Sequence, residues 1–437
     1  MLDGVYRKRL ADDLPRWRDA GWVTAEGSDA ILASLAGQRS TIGLAAIVGV
    51  LGALLLGLGV IAFVGANWDY MPRIVRFGML VATMGAAYGA AAMLAARDMR
   101  MFAEAALLVA GLVFAAAIAL VGQTYHLAGE FSDAVLLWEV GIVGAALLTR
   151  SATLTVLALA GAGYWTWLNV TDLGIIPHWG SLLLIVIVSA IAVGFGERYT
   201  RLLAVLTLAF WIVVNLIGVA ARLDWSPFQM LAVGAALSLL FWSIGSVFAT
   251  MRSRPQLAAL GYAMLWPGIA AVLLSVGLLQ LALDTNNDLT SELWFILVGA
   301  FMVAVASLVA LSRLRGGISM VDAIGAVAIG VAAVTYVSFV FEDSMVARLA
   351  GGAMVLGTVL WAINQGQTGP QRVGKTTGLV AFGVEIIYLY VVTLGSLMDT
   401  ALAFLVGGVL FIGLAYGLYR IDRRLARKPG LAAEPAP

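Results

Sequence analysis

The chain has no cysteine among its 437 residues. That excludes disulfides, thiolate metal sites, iron–sulfur clusters and a cysteine nucleophile. Histidine is almost as scarce: His126 and His178 are the only two, too few for a histidine-rich zinc site. No metal and no cofactor is therefore expected. Charge is also thin. Only 12% of residues are charged and 62% are hydrophobic, with a mean hydropathy of +0.98, whereas a soluble domain is about a quarter charged. Such a chain cannot cover a soluble surface, so lipid must be its main solvent. Lysine is nearly missing, with Lys8, Lys375 and Lys428 alone beside 23 arginines. No segment gathers positive charge into a nucleic-acid footprint. No short apolar region with a small-residue cleavage site opens the chain, so a cleavable signal peptide is not expected.

What is present is apolar length. A hydrocarbon core of about 30 Å needs about 20 apolar residues per helix. Fourteen runs qualify, near 42–64, 76–95, 103–125, 133–149, 152–168, 179–196, 202–221, 228–249, 257–282, 293–312, 319–341, 346–363, 376–396 and 399–419. The pair 133–149 and 152–168 is short and joined by a turn at Arg150-Ser151. The fold class predicted is all-α, a polytopic transmembrane bundle of about 14 crossings.

Positive charge sorts between alternate gaps. Of the 26 basic residues, 22 fall in the N-terminal segment, every second gap and the C-terminal tail. Arg73, Arg76, Arg222 and Arg348 are the four exceptions. Cytoplasmic loops retain positive charge, so both termini are predicted to be cytoplasmic. The protein is expected to be multi-pass in a bacterial inner membrane, with the lipid bilayer as its principal partner. Trp68, Trp165, Trp167, Trp179, Trp225 and Trp294 lie close to outer ends, where an amphipathic ring prefers the headgroup level. Gly85–Gly89 and Gly413–Gly417 have the GxxxG spacing of close helix packing.

Four regions follow. Residues 1–38 read as a cytoplasmic amphipathic helical hairpin: Leu2, Tyr6, Leu10 and Leu14 recur every fourth residue, Pro15 interrupts or restarts the helix, and Gly21-Trp22 turns. Thr24 is placed to cap a second helix carrying Ile31 and Leu35. The hairpin either lies on the membrane or docks a cytoplasmic protein partner. Residues 39–221 and 222–420 form two halves of seven crossings each, without a convincing repeat between them. Residues 421–437 form a basic tail expected to be disordered.

Several strings resemble a family of bacterial predicted membrane proteins known as domain of unknown function 2157. They are Trp17…Gly21-Trp22, Gly65-Ala66-Asn67-Trp68-Asp69 with Pro72-Arg73, and Gln123-Thr124-Tyr125-His126 followed by Leu137-Trp138-Glu139. The likeness is strongest over roughly the first 170 residues. A weaker one covers Glu385-Ile386-Ile387-Tyr388 and Gly395-Ser396-Leu397. The resemblance implies a bacterial inner-membrane protein and no transferable activity.

One string matches a nucleotide-binding motif, Gly369-Pro370-Gln371-Arg372-Val373-Gly374-Lys375-Thr376. A phosphate loop needs a preceding strand inside an α/β domain. Here the string sits in a short loop between two apolar runs, so it is read as a chance match. Asn169-Val170-Thr171 matches a glycosylation acceptor, which has no meaning in a bacterial inner membrane.

Acids inside crossings are better leads, because charge there is costly and tends to be functional. Glu104 and Asp322 lie near inner ends and are expected to reach water. Glu139 lies about two turns below the outer surface and Glu385 close to mid-membrane, with no deep Lys or Arg to neutralise either. Each is either a neutral acid bonding a neighbouring helix or a proton- or cation-binding group. The first outer gap adds Asn67, Asp69, Arg73 and Arg76, and the second adds Gln123, His126 and Glu130. With Glu139 these form a candidate outward polar pocket of the first four crossings, or else a salt-bridged cap. Pro267 should kink or break its helix, as happens at transporter sites.

Two functions compete: a secondary transporter or permease of a small solute or ion, and a non-catalytic sensor or assembly protein acting through residues 1–38. A lipid-linked transferase is disfavoured, since the outer gaps are too short to build covering helices.

Overall fold

The computed structural model describes residues 13–36, 72–125, 129–195, 197–281, 292–338, 344–368 and 372–394, with Leu10 and three isolated positions besides. Among the described residues every regular element is a helix. They are α1 (Ala25–Ala36), α2 (Arg73–Ala96), α3 (Arg100–Tyr125), α4 (Phe131–Thr149), α5 (Ala152–Thr171), α6 (Trp179–Phe195), α7 (Arg198–Arg222), α8 (Pro227–Ala249), α9 (Pro255–Leu281), α10 (Glu292–Leu314), α11 (Met320–Ser338), α12 (Ser344–Thr368) and α13 (Arg372–Leu394). The helices α2 to α13 fall on the second to the thirteenth apolar run. The runs at 42–64 and 399–419 lie outside the described residues. Among the described residues, eight helices are long and apolar enough to cross a membrane, and the apolar helices at 179–195 and 298–314 are shorter.

The helix ends follow local chemistry. Thr24 caps α1 by accepting from Gly27 N at 3.1 Å. Ser151 caps α5 through Leu154 N at 3.1 Å. At α8, Ser226 and Gln229 form a reciprocal capping box with Pro227 in the first turn, satisfying amides that have no partner inside the helix. Arg150 takes the left-handed conformation, φ 51°, to turn α4 into α5. In the N-terminal segment residues 13–19 are helical straight through Pro15. Gly21, at φ 74°, ends that helix.

The chain forms two compact units, residues 1–173 with 178–207, and residues 174–177 with 208–437. In the first unit α3, α4 and α5 pack mutually, α2 lies on α3 and α6 lies on α5. Its core contains Leu107, Ile142, Leu154, Leu159 and Val188. In the second unit α8 packs on α9, α10 and α11, while α12 packs on α9, α11 and α13. Trp242 and Trp361 meet edge to face at its centre, 4.9 Å apart.

The tightest helix contact, α8 on α9, rests on glycine. A β-carbon added at Gly261 would stand 2.3 Å from the Ala249 amide nitrogen and 2.6 Å from the Gly245 carbonyl oxygen. At Gly268 it would reach 2.9 Å from the Trp242 β-carbon. Small residues of this kind let helix backbones touch without help from a hydrophobic drive. At the expected seam, Gly85–Gly89, nothing among the described residues lies within 4 Å of a β-carbon built at either position, so no described helix packs there. Gly413–Gly417 lies outside the described residues.

Of the kink or break expected at Pro267, the break does not occur: α9 is continuous through it. The proline lacks one amide, but the neighbouring turns continue, as is tolerated in membrane helices. Trp165 is a core residue at 8% exposed, not a headgroup anchor, and its indole N–H donates to Ser132 Oγ at 2.9 Å.

Candidate functional site

In the first unit the polar groups follow one seam between α4 and α5. Ser132 and Glu139 are seven residues apart on α4, two turns along one face. Gly161, Trp165 and Asn169 repeat every fourth residue on α5. At the start of α4 Ser132 Oγ accepts from Asn169 Nδ2 at 2.8 Å as well as from Trp165. Asn169 Nδ2 also donates to the Trp165 carbonyl at 2.8 Å, so the glycosylation-like asparagine is a buried bridge. His178 stacks edge-on against Trp165 with ring centres 4.7 Å apart. It lies in the turn before α6, outside the crossing helices, and burial lowers its pKa below the ordinary histidine value.

Two turns deeper, Glu139 is fully enclosed. Neither of its carboxyl oxygens has a hydrogen-bond partner. Its room comes from Gly161: a β-carbon there would overlap Glu139 Oε1. The acid therefore faces α5. Of the residues expected around it, Gln123 and Glu130 are exposed and Arg76 is half-buried. The side chain of Arg73 and the residues Asn67, Asp69 and His126 lie outside the described residues. Among the described residues, none of the expected pocket joins Glu139 through a hydrogen bond or an ion pair.

The other acids divide by surroundings. Glu104 on α3 accepts from Ser151 Oγ and from Thr153 N, which ties it to the first turn of α5. Asp322 does not face water as expected: it is 2% exposed. It sits in a reciprocal cap with Ser319, at 3.2 and 3.1 Å, and accepts from Asn364 Nδ2. Arg222, one of the four arginines that depart from the alternation of charge, donates to the carbonyls of Ile176 (2.9 Å) and Gly174. That local clasp accounts for its place.

In the second unit Glu385 lies near the middle of α13, 6% exposed, on a polar cluster that no single run of sequence contains. Gln280 of α9 is 1% exposed and Tyr336 of α11 is 4% exposed. They meet above Gly351, where an added β-carbon would stand 2.9 Å from Gln280 Cγ and 3.0 Å from the Tyr336 hydroxyl. Glu385 Oε1 lies 3.4 Å from the equivalent point at Gly352. The Gln280 side chain approaches the Glu385 carboxyl without reaching hydrogen-bond geometry, and both polar atoms of its amide are buried and unpartnered. A cavity of about 560 Å³ opens beside them, lined by Gln280, Thr376, Thr377, Glu385 and Tyr388 among aliphatic side chains. Trp266 Nε1 donates to Thr377 Oγ1, one of the lining residues, at 3.1 Å.

Gln280 and Tyr336 escape sequence reasoning because neither is charged. The one available signal is Gly351-Gly352, a small-residue pair that leaves room for them. Residues 372–376 of the phosphate-loop-like string are the start of α13, and residues 369–371 lie outside the described residues. Among the described residues no three His, Asp or Glu side chains gather as a metal site.

Several long apolar helices in an architecture that is all-helical among the described residues mark a membrane protein. Residues 15–155 match the model of a family described as predicted membrane protein, domain of unknown function 2157. That span holds the strings that carried the resemblance up to Glu139. The weaker likeness at Glu385–Tyr388 lies beyond it. Comparison with curated proteins and with solved structures gives no match.

Proposed function

We propose that this membrane protein is a secondary transporter or permease for a small solute or ion in a bacterial inner membrane, with Glu385 as its proton- or cation-binding group. One observation carries the reading. A carboxyl near the middle of a helix sits beside a cavity of about 560 Å³, shares it with Gln280 and has no cationic side chain among the cavity's lining. Buried acids in such settings are more often functional than structural. The cavity supplies what a solute or hydrated ion would need next to that acid: uncharged donors and acceptors in an apolar wall. Glu139 fits a coupling role less well, because Gly161 and α5 enclose it.

The test is solute-dependent proton movement in sealed vesicles, read by a trapped pH dye while a panel of small solutes is added. Glu385→Gln keeps the shape and removes the ionisable proton. It is expected to abolish coupled flux, a loss of at least about tenfold. Flux equal to wild type would remove Glu385 from the mechanism.

A second reading, a sensor or assembly protein acting through residues 1–38, is favoured by Trp22. That indole is 77% exposed at the turn between the two helical stretches, and exposed aromatics are common at protein interfaces. The same vesicles discriminate. A transporter lacking residues 1–38 keeps its flux if it inserts, whereas an adaptor lacking them loses its role.

A further inference from the structure

A second cavity in the same unit has different chemistry. Its volume is about 380 Å³, at the small end of ligand pockets. It lies at the ends of α8, α9, α11 and α12 on the side that the arginine distribution assigns to the cytoplasm. Arg252 enters from the turn after α8, Arg315 from the turn after α10, and Tyr262, Asp322 and Gln365 line the rest together with small residues.

The two arginine-bearing turns are held together by a missing side chain. A β-carbon at Gly317 would stand 2.3 Å from the Thr250 methyl and 2.8 Å from Ser312 Oγ, so only glycine lets the turns meet. Gly316 beside it adopts φ 71°, a left-handed conformation that glycine takes without strain. Two guanidinium-bearing residues therefore converge on one cavity because of backbone packing.

Among the described residues no acidic side chain pairs with either guanidinium. The acid in the wall is Asp322, whose Oδ2 accepts from Ser319 N and whose Oδ1 accepts from Asn364 Nδ2. No ion pair joins it to Arg252 or Arg315, and neither guanidinium has another acidic partner among the described residues. Gln365 lines the cavity, and its Nε2 is a buried donor without an acceptor among the described residues. A buried donor left unmade costs about 1–3 kcal/mol, which a bound acceptor would recover. Positive loop charge alone explains why arginines occur on this side. It does not explain their convergence on a cavity that also contains an idle buried donor.

We propose that this cavity binds a phosphate-bearing anion, with Arg252 and Arg315 taking the charge and Gln365 Nε2 donating to one oxygen. Guanidinium groups match phosphate oxygens through paired, charge-assisted hydrogen bonds. The phosphate belongs either to a phospholipid headgroup of the adjoining leaflet or to a soluble ion. The proposal is independent of the transport reading, and Glu385 has no part in it.

The full-length protein in an uncharged detergent is titrated in two arms, one with inorganic phosphate and one with a fluorescent phosphatidylglycerol in the same micelles. Saturable binding in the first arm assigns a soluble anion, and binding confined to the second assigns a lipid headgroup. Either supports the site if Arg252→Gln with Arg315→Gln weakens binding at least about tenfold and Gln365→Leu weakens it severalfold. The pair Arg198→Gln with Arg201→Gln, which leaves the cavity intact, should change little. All three variants should keep the wild-type unfolding midpoint without ligand. The site is refuted if neither probe saturates the wild type, or if the Arg198/Arg201 pair weakens binding as much as the Arg252/Arg315 pair.

Discussion

At the scale of single residues, Glu139 sets stability against use. A polar group buried without a partner destabilises the fold by about 1–3 kcal/mol, and Glu139 has both oxygens in that state. Glu139→Leu, close in volume, is therefore expected to raise the unfolding midpoint in detergent. A fall would show that the carboxyl holds α4 to α5. His178 gives a second prediction. Burial lowers its pKa, so the folded protein favours the neutral ring and the unfolded chain binds the proton more readily. The stability this contributes is complete above the unfolded value of about 6.5 and is lost as pH falls below it. Unfolding midpoints from pH 7.5 down to 5 should decline in wild type, and the decline should be shallower in His178→Gln. The deep acids were legible in the sequence because charge inside an apolar run is conspicuous. Their neighbours were not: Gln280, Tyr336 and Asn169 look ordinary until helices distant in sequence place them beside each other.

At the scale of elements, helix ends and helix contacts behaved differently as readable features. Twelve apolar runs coincide with helices to within a few residues, because the length of apolar sequence and the capping residues are local properties. Thr24 shows this most simply: a hydroxyl three residues before an amide, making the expected bond. Contacts between helices are not local: the GxxxG spacing at Gly85–Gly89 meets no helix among the described residues. The α8–α9 seam uses Gly245, Gly261 and Gly268, which share no such motif. The contrast is measurable. Gly261→Ala should destabilise the protein by about 1–3 kcal/mol, since the methyl group meets backbone that cannot yield. Gly85→Ala meets nothing within 4 Å among the described residues and should be neutral or slightly stabilising, because alanine favours helix by up to about 1 kcal/mol. Equal effects at the two positions would contradict the α8–α9 packing. Pro267 teaches the same lesson from the other side: a residue that breaks soluble helices remains within a continuous α9.

At the scale of the whole molecule, charge distribution carries the most information. Sorted arginines predict a topology without any knowledge of packing, and the exceptions become informative once packing is known. Arg222 is engaged by the carbonyls of residues 174 and 176 instead of marking a cytoplasmic loop. A reporter enzyme fused after Asn169 should be active only on the side away from the cytosol, and one fused after Arg150 only on the cytosolic side. Cytosolic activity after Asn169 would invert the topology. The apolar runs thus revealed a membrane protein and most of its helices. The cavities beside Glu385 and Arg252 depend on which helices touch, and hydropathy does not encode that.

The two-residue link between α4 and α5 also bears on how the chain is made. Arg150 reverses direction and Ser151 immediately starts the next helix, so the two segments can leave the ribosome and enter the bilayer as one hairpin. Ser132, Asn169 and Glu139 then turn toward a neighbouring segment of the same nascent chain, never outward to acyl chains. Lengthening that link with a flexible insert would make the helices insert one after the other. Glu139 would then meet lipid alone, and the first symptom would be failed insertion with degradation of the newborn protein, ahead of any defect in the mature one.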